Sequence, residues 1–246
     1  MYGIVGGAQA NWTSLLAWIL LALGIASLIL LVIVDEKQKH PLLDFLIFKQ
    51  NILVLAALSC ALAGVASTVF MFFDPLYLRI LRELPPFWIG LLIAIIPAAQ
   101  ALISFTFTRA VKYFGVANLL FFSILAACLA ISLHRFINAE TPLAFLAIPF
   151  FLLGINWGLS NSAMITAVNE AVSSKKIGEA LGTIATIWNI VGSLLLASST
   201  AVFHAFQTGD SFLLPFHRMI DFNVLFALLI LCAAIWIRVK IQKGAR

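Results

Sequence analysis

Apolar runs separated by short polar segments make up most of this chain. Seven of the runs are long enough to cross a bilayer as a helix, since a crossing takes about 20 apolar residues. They lie at about Trp12–Val34, Ile52–Phe73, Phe87–Phe107, Val116–Leu133, Leu143–Thr166, Ala180–Ala201 and Phe222–Ile237. The pattern predicts an all-α membrane protein in which one extra helix precedes a group of six.

The polar segments divide the chain into four regions. Residues 1–34 hold a tail and the extra transmembrane helix, and residues 35–50 form a charged linker whose apolar positions predict a segment lying along the membrane surface. The six-helix unit occupies residues 51–240, and a polar tail of residues 241–246 follows it. The linker and this last tail are predicted to be cytoplasmic.

The basic residues predict the direction in which the chain crosses. Eleven of its 15 lysines and arginines fall on one side of the spans, and cytoplasmic loops are enriched in such residues. These eleven are Lys37, Lys39, Lys49, Arg109, Lys112, Lys175, Lys176, Arg238, Lys240, Lys243 and Arg246. We therefore predict a multi-pass protein of the cell inner (plasma) membrane, with its N-terminus outside and its C-terminus in the cytoplasm.

Composition supports the membrane class and narrows the partners. The chain is 63% hydrophobic and 10% charged, whereas soluble domains are roughly a quarter charged. Its net charge of +5 comes from the short loops that set topology, so no nucleic-acid partner is predicted. The cysteines lie inside apolar runs without CxxC spacing or a neighbouring histidine. Membrane lipid is therefore an expected partner, and no disulfide, metal or cofactor is predicted.

Charged residues are missing from the middle of every predicted span. A central charge costs at least about 2.5 kcal/mol on insertion scales, and the charges that persist there mark functions such as proton relays. Asp74, followed by Pro75, closes the second span near the predicted outer surface. It is the nearest candidate for a proton carrier, although a helix-end role accounts for it. His134 and His204 fall at span ends and are expected at the membrane interface.

Uncharged polar side chains concentrate in two spans, between residues 150 and 193. The span Leu143–Thr166 has one polar face, which holds Asn156, Trp157, Ser160 and Asn161 beside Gly154 and Gly158. The span Ala180–Ala201 has a polar stripe of Thr183, Thr186, Asn189 and Ser193. An apolar stripe of Ile184, Trp188, Val191 and Leu195 lies opposite. A buried amide without a partner costs about 2 kcal/mol or more, so these faces should meet protein or water rather than lipid.

Four amides distinguish the helices of the six-helix unit from one another. Gln100 lies on the second, Asn156 and Asn161 on the fourth, and Asn189 on the fifth. The third and sixth helices have little central polarity and are predicted to face lipid. Two interpretations of the amides stay open: they line a substrate cavity, or they bond helix to helix at about 0.6 to 2 kcal/mol each.

Several segments resemble a known family. HPLLDFLIFKQN, DPLYLRILRELPPFWIGLLIAIIP, FTRAVKYFG and GEALGTIATIWNIVGS are similar, in order and spacing along most of the chain, to the C-terminal half of the 14-helix drug:proton antiporters of the major facilitator superfamily. The segment from Phe107 to Gly115 resembles the degenerate repeat of that superfamily's basic loop signature. Arg109, Lys112 and Gly115 are in place, but the acidic partner is missing.

The resemblance implies both an architecture and an activity. The architecture is a transporter half of three-plus-three inverted helices, in which the first, second, fourth and fifth line the substrate path of an alternating-access carrier. The activity is multidrug-type efflux of a small amphiphilic substrate by proton antiport. The implied substrate contacts are Gln100, Asn156, Trp157, Asn161 and Asn189. Because this sequence lacks the other six helices of such a carrier, the implied partner is an N-terminal transporter half or a second copy.

Other classes of function remain as alternatives. The Gly154 and Gly158 pair suits a non-transporting membrane partner or assembly module, although glycines at this spacing more often pack helices within one bundle. An inactive remnant of a carrier is also open. An intramembrane enzyme is disfavoured, because Asn161 follows Ser160 where serine-protease motifs have glycine, and no histidine lies mid-span to activate the hydroxyl.

Overall fold

The computed structural model describes residues 26, 30 and 34, 45–207 and 211–244. The predicted extra helix and most of the predicted linker therefore lie outside the described residues. From Phe45 onward the chain forms one compact unit with six helices long and apolar enough to cross a membrane. The prediction of an all-α membrane protein with a six-helix unit is confirmed for this part of the chain.

Six long helices follow a 3₁₀ turn at Phe45–Lys49. They are α1 (Asn51–Ile80), α2 (Pro86–Phe114), α3 (Val116–His134), α4 (Leu143–Ala171), α5 (Ile177–Ala205) and α6 (Leu213–Gly244). Most are longer than the apolar runs that predicted them, because the helices continue into the polar residues that flank each run. The ends of α1 and α3 that hold Ile80 and His134 are called the predicted outer end.

The first helix departs from regular α geometry and continues past its proline. A wider π turn at Ala66–Phe70 separates Asn51–Val65 from Met71–Ile80. Pro75 lies inside the last of these segments, so the predicted stop at Asp74 is wrong. The helix tolerates this proline, as membrane helices do where neighbouring packing compensates for the lost hydrogen bond. Asp74 therefore lies inside the helix, and it is 3% exposed.

Proline has a larger effect on α2. This helix consists of Pro86–Ile93 and Ile95–Phe114, and the interruption at Ala94 lies three residues before Pro97. A proline removes one backbone donor and crowds the preceding turn, which explains the break. By contrast, α4 remains helical through Pro149.

The helix contacts sort into two layers. The front layer contains α2, α4, α1 and α5 in that spatial order, because α2 packs on α4, α4 on α1 and α1 on α5. The back layer contains α3, which packs on α4 and α1, and α6, which packs on α1 and α5. The α1–α5 contact corresponds to α4–α2, and α6–α1 corresponds to α3–α4. This correspondence agrees with the expected three-plus-three repeat.

The third helix is more enclosed than its sequence predicts. In the most apolar part of α3, 61% of the residues are buried, compared with 11% for α2 and 33% for α6. The prediction that α3 mainly faces lipid is therefore wrong, because α3 packs against α1, α4 and α6. Apolar side chains suit a protein interior as well as lipid, so low polarity alone does not show which one a helix meets.

Glycines bring the front-layer helices into close contact. Where α1 crosses α5, a Cβ atom on Gly192 would lie 2.7 Å from the carbonyl oxygen of Gly64. The Thr68 hydroxyl lies 2.8 Å from the carbonyl oxygen of Gly192 and donates across this crossing. In the corresponding α4–α2 crossing, Gly154 and Gly158 lie directly against α2. These two glycines therefore pack helices within the bundle, as their spacing favours.

We predict that Gly192→Ala destabilises the chain by about 1 to 3 kcal/mol, because the added methyl group meets backbone that cannot rotate away. Gly178→Ala on the same helix is the matched control, since a Cβ atom there meets nothing within 4 Å. Denaturant unfolding of the purified chain in detergent measures both variants. Equal stability of the two would contradict the close crossing.

Candidate functional site

Polar side chains from three helices meet inside the bundle. The hydroxyl oxygens of Ser59 on α1, Ser123 on α3 and Ser160 on α4 lie 2.7 to 2.9 Å from one another. The Asn156 amide nitrogen, also on α4, donates to the Ser123 hydroxyl at 2.9 Å and to the Ser123 carbonyl at 3.2 Å. All four side chains are fully buried. This serine–asparagine cluster links one back-layer helix to two front-layer helices.

Two of the predicted substrate contacts bond helices to each other. Asn156 belongs to the serine–asparagine cluster, and the described residues give its amide oxygen no hydrogen-bond partner. Trp157 is half-buried, and its indole N–H donates to the carbonyl oxygen of Ala63 on α1 at 3.0 Å. The geometry therefore favours, for these two residues, the interpretation in which polar groups hold helices together.

The second amide on α4 points in a different direction. Asn161 is exposed, whereas Asn156 is buried. On the helix, Asn161 lies between the direction of Trp157, which contacts α1, and that of Gly158, which contacts α2. Its side chain therefore lies on the uncovered side of the front layer.

The fifth helix has the two faces that its sequence predicts, with one exception. Ile184 and Leu195 are buried, while Asn189 and Ser193 are exposed. Thr183 was predicted on the polar stripe, but its side chain is fully buried and its hydroxyl donates to the Glu179 carbonyl. The buried face packs on α1, which leaves the amide of Asn189 at the surface of the front layer.

Backbone acceptors satisfy part of the polarity on the front layer. The Asn189 amide nitrogen donates to the Ala185 carbonyl at 2.9 Å, and the hydroxyls of Thr186 and Ser104 donate to carbonyls four residues earlier. Such bonds lower the cost of a polar side chain on a membrane helix. Gln100 on α2 is half-buried, next to Ser104 on the following turn. The structure thus places Gln100, Asn161 and Asn189 on three helices of one layer.

Asp74 and His134 form a second buried polar site. The Asp74 carboxylate oxygen Oδ2 lies 3.3 Å from His134 Nε2, and their side chains are 4% and 0% exposed. Both residues lie near the predicted outer end, where the sequence places them, but protein covers their side chains, which the sequence does not predict. These residues are 60 positions apart, and their pairing depends on how α1 packs beside α3. By contrast, His204 is exposed at the end of α5, as expected.

Comparison with known proteins identifies the type of fold. A model of the Major Facilitator Superfamily matches residues 2–196. Crystal structures of the nucleoside transporter NupG and of its D323A mutant are similar, with TM-scores of 0.64 and 0.65 at 18% and 17% sequence identity. The matches cover 78% of this chain and 49% and 50% of the NupG chains, so this chain spans about half their length. No match was found among curated proteins.

We predict that Asn156→Leu destabilises the chain by about 1 to 3 kcal/mol, because it leaves buried hydroxyls without their amide partner. Asn161→Leu makes the same chemical change on the same helix at an exposed position, and should alter stability by less than about 0.5 kcal/mol. Denaturant unfolding in detergent measures both. A larger loss for Asn161→Leu than for Asn156→Leu would contradict the assignment of these two amides.

Proposed function

This chain belongs to the Major Facilitator Superfamily, and we propose that it forms one six-helix half of a carrier that exports small amphiphilic molecules in exchange for protons. The fold is that of a multi-pass membrane transporter. The proposal adds the division into halves, the substrate class, the direction and the coupling ion. It also places the chain in the cell inner membrane with a cytoplasmic C-terminus, in keeping with the distribution of basic residues.

The observation that carries the proposal is the polar, uncovered side of the front layer. Asn161 and Asn189 are exposed there and Gln100 is half-exposed. In hydrocarbon, each amide group without a partner would cost about 1 to 3 kcal/mol. A second six-helix half packed across this layer would instead place the three amides beside protein or a water-filled path. Substrate sites in carriers of this architecture lie at such an interface between halves.

The neighbouring side chains define the substrate class in this proposal. Ile165 is exposed one turn from Asn161, and Ile190 is exposed beside Asn189. A surface that alternates amide and branched apolar groups suits a molecule with both polar and apolar parts. Gln100, Asn161 and Asn189 are therefore the proposed substrate contacts. Asn156 and Trp157 support them by fixing α4 against α3 and α1.

The partner in this proposal is an N-terminal transporter half. A two-sided path needs walls on both sides, and the NupG chains are about twice as long as the part that this chain matches. A second copy of this chain is the other occupant of the same surface. Crosslinking in membranes shows whether the surface contacts another transporter half or a second copy of this chain. Self-association without transport in any pairing would instead favour an assembly module.

We predict that Asn161→Leu and Asn189→Leu each slow export about fivefold when the chain is expressed with an N-terminal half, since one amide hydrogen bond contributes about 1 kcal/mol. Efflux of a fluorescent amphiphilic cation from bacterial cells measures this. Gln242→Leu is the matched control, because it removes an exposed amide from the far end of α6.

Abundance of each variant in the membrane is measured alongside export. Undiminished efflux in both front-layer variants, at normal abundance, would count against the proposed substrate contacts. Equal slowing by Gln242→Leu would show that loss of any surface amide impairs the chain, and would count against them as well.

A further inference from the structure

The buried pair of Asp74 and His134 is unlike any other polar contact in the described part of the chain. It places a carboxyl group and an imidazole within 3.3 Å of each other inside membrane-spanning helices. By comparison, Arg135 and Asp221 lie 2.8 Å apart, and both of their side chains are more than 40% exposed. The Asp74–His134 pair is shielded from water, so a change in its net charge is costly to the bundle.

The hydrogen bonds of His134 determine where its protons lie. Its Nδ1 atom is 2.7 Å from the carbonyl oxygen of Ala130, one turn earlier on α3. A carbonyl oxygen can only accept, so Nδ1 carries a hydrogen. Nε2 then faces Asp74 Oδ2, and this contact is a hydrogen bond only when one further proton lies between the two atoms. A single proton, on either the imidazole or the carboxyl group, is enough to complete this hydrogen bond.

The surroundings make gain or loss of that proton costly to the packed bundle. The Phe70 ring lies 4.4 Å from the imidazole and the Phe150 ring 6.2 Å from it, measured between centroids. With one proton the pair is neutral overall. Loss of the proton leaves a net negative charge in this aromatic environment, and gain of a second leaves a net positive charge. Each change favours a rearrangement that admits water or separates α1 from α3.

Few other charged groups face the pair. Tyr77 on α1 donates its hydroxyl to the Asn138 carbonyl, and Arg135 on α3 turns to Asp221 and His217 on α6. The described outer half of α4 carries no ionisable residue, and neither does α2 before Arg109. His204 on α5 bonds to Gln207. Arg82, half-buried after the end of α1, interacts with Tyr77, and so does Asp74. The charged groups named here are thus less buried than the pair itself.

We propose that Asp74 and His134 form a proton-binding site, with one proton held between Oδ2 and Nε2 and exchanged with water at the predicted outer end. The site lies where the loop after α3 meets α1, because Tyr77 bonds Asn138 and Arg82 bonds Ala139 in that loop. Proton exchange is therefore linked to the contact between α1 and α3. As the coupling site of an antiporter, the pair depends on the proposed function; as a site that binds a proton, it does not.

The test is a titration of the full chain in lipid nanodiscs, over about pH 4 to 9, where carboxyl and imidazole groups ordinarily titrate. Nitrogen NMR of labelled histidines follows His134, and infrared spectroscopy follows the protonated carboxyl group. We expect the two signals to change together, because the protons belong to the pair rather than to one residue. Asp74→Asn should remove the carboxyl signal and shift the pH at which His134 changes, while His204→Gln should leave both unchanged.

A double variant tests the site even if a single variant fails to fold. Asp74→Asn with His134→Gln places two neutral amides that can bond each other, and it should fold while binding about one proton fewer per chain than the unaltered protein. An unchanged His134 titration in Asp74→Asn, or unchanged proton uptake by the double variant, would overturn the site.

Transport by the paired halves separates this inference from the proposed function. Coupled titration of the pair together with no export in any pairing would leave the proton site standing and overturn the transporter half. Export that still moves protons normally in the double variant would overturn the coupling role, whatever the titration shows.

Discussion

Polar groups inside a membrane need partners within the protein, and this need organises the whole six-helix unit. Hydrocarbon offers no hydrogen bonds, so a buried polar group without a partner costs from about 1 to several kcal/mol. The serine–asparagine cluster bonds the three hydroxyls and the Asn156 amide nitrogen between α1, α3 and α4, and Asn223 on α6 donates to Ser199 on α5. These bonds join the back layer to the front layer. The polar side chains on the uncovered side of the front layer form no such bonds between helices, because Ser104, Thr186 and Asn189 donate only to carbonyls of their own helices. The proposed transport path follows from this difference.

Close helix crossings hold the front layer of the unit together. Gly64 and Gly192 let α1 and α5 approach until Thr68 bonds across them, and Gly154 and Gly158 let α4 approach α2 closely. In hydrocarbon, helices associate through packing and interhelical hydrogen bonds rather than through a hydrophobic driving force. The two crossings are related by the exchange of the first three helices with the last three. Both crossings therefore join the first three helices to the last three.

The sequence predicts the spans better than it predicts the directions of their side chains. Hydropathy locates all six described helices, because an apolar run of sufficient length suits a membrane whatever it packs against. It assigned α3 to lipid, since apolar residues carry no signal that separates lipid from protein. Asn156 and Asn161 were grouped on one face from their spacing, yet Asn156 is buried against α3 and Asn161 is exposed. Asn156 and Asn161 are five positions apart, and only the positions of the neighbouring helices decide which amide is covered.

The pairing of Asp74 with His134 shows why the rest was not predictable. Asp-Pro commonly ends a helix, and the sequence alone supports that interpretation. In the structure, packing keeps α1 helical through Pro75 and brings in His134 from 60 residues away. No local pattern encodes a contact between two helices at this separation. The pair therefore emerges only when the bundle is assembled, and it supplies the ionisable group that the spans lacked when they were considered one at a time.

The central claim is that the uncovered side of the front layer lines a water-filled path. Cysteine labelling in membranes tests it most directly, in a Cys232→Ala background that leaves only the buried Cys60 and Cys128. With an N-terminal half present, Ser193→Cys and Ser104→Cys should react with a charged, water-soluble maleimide, because both positions are exposed on front-layer helices. Leu225→Cys and Leu229→Cys, exposed on α6, should not react because lipid covers them. Reaction on α6 with none on the front layer would contradict the account.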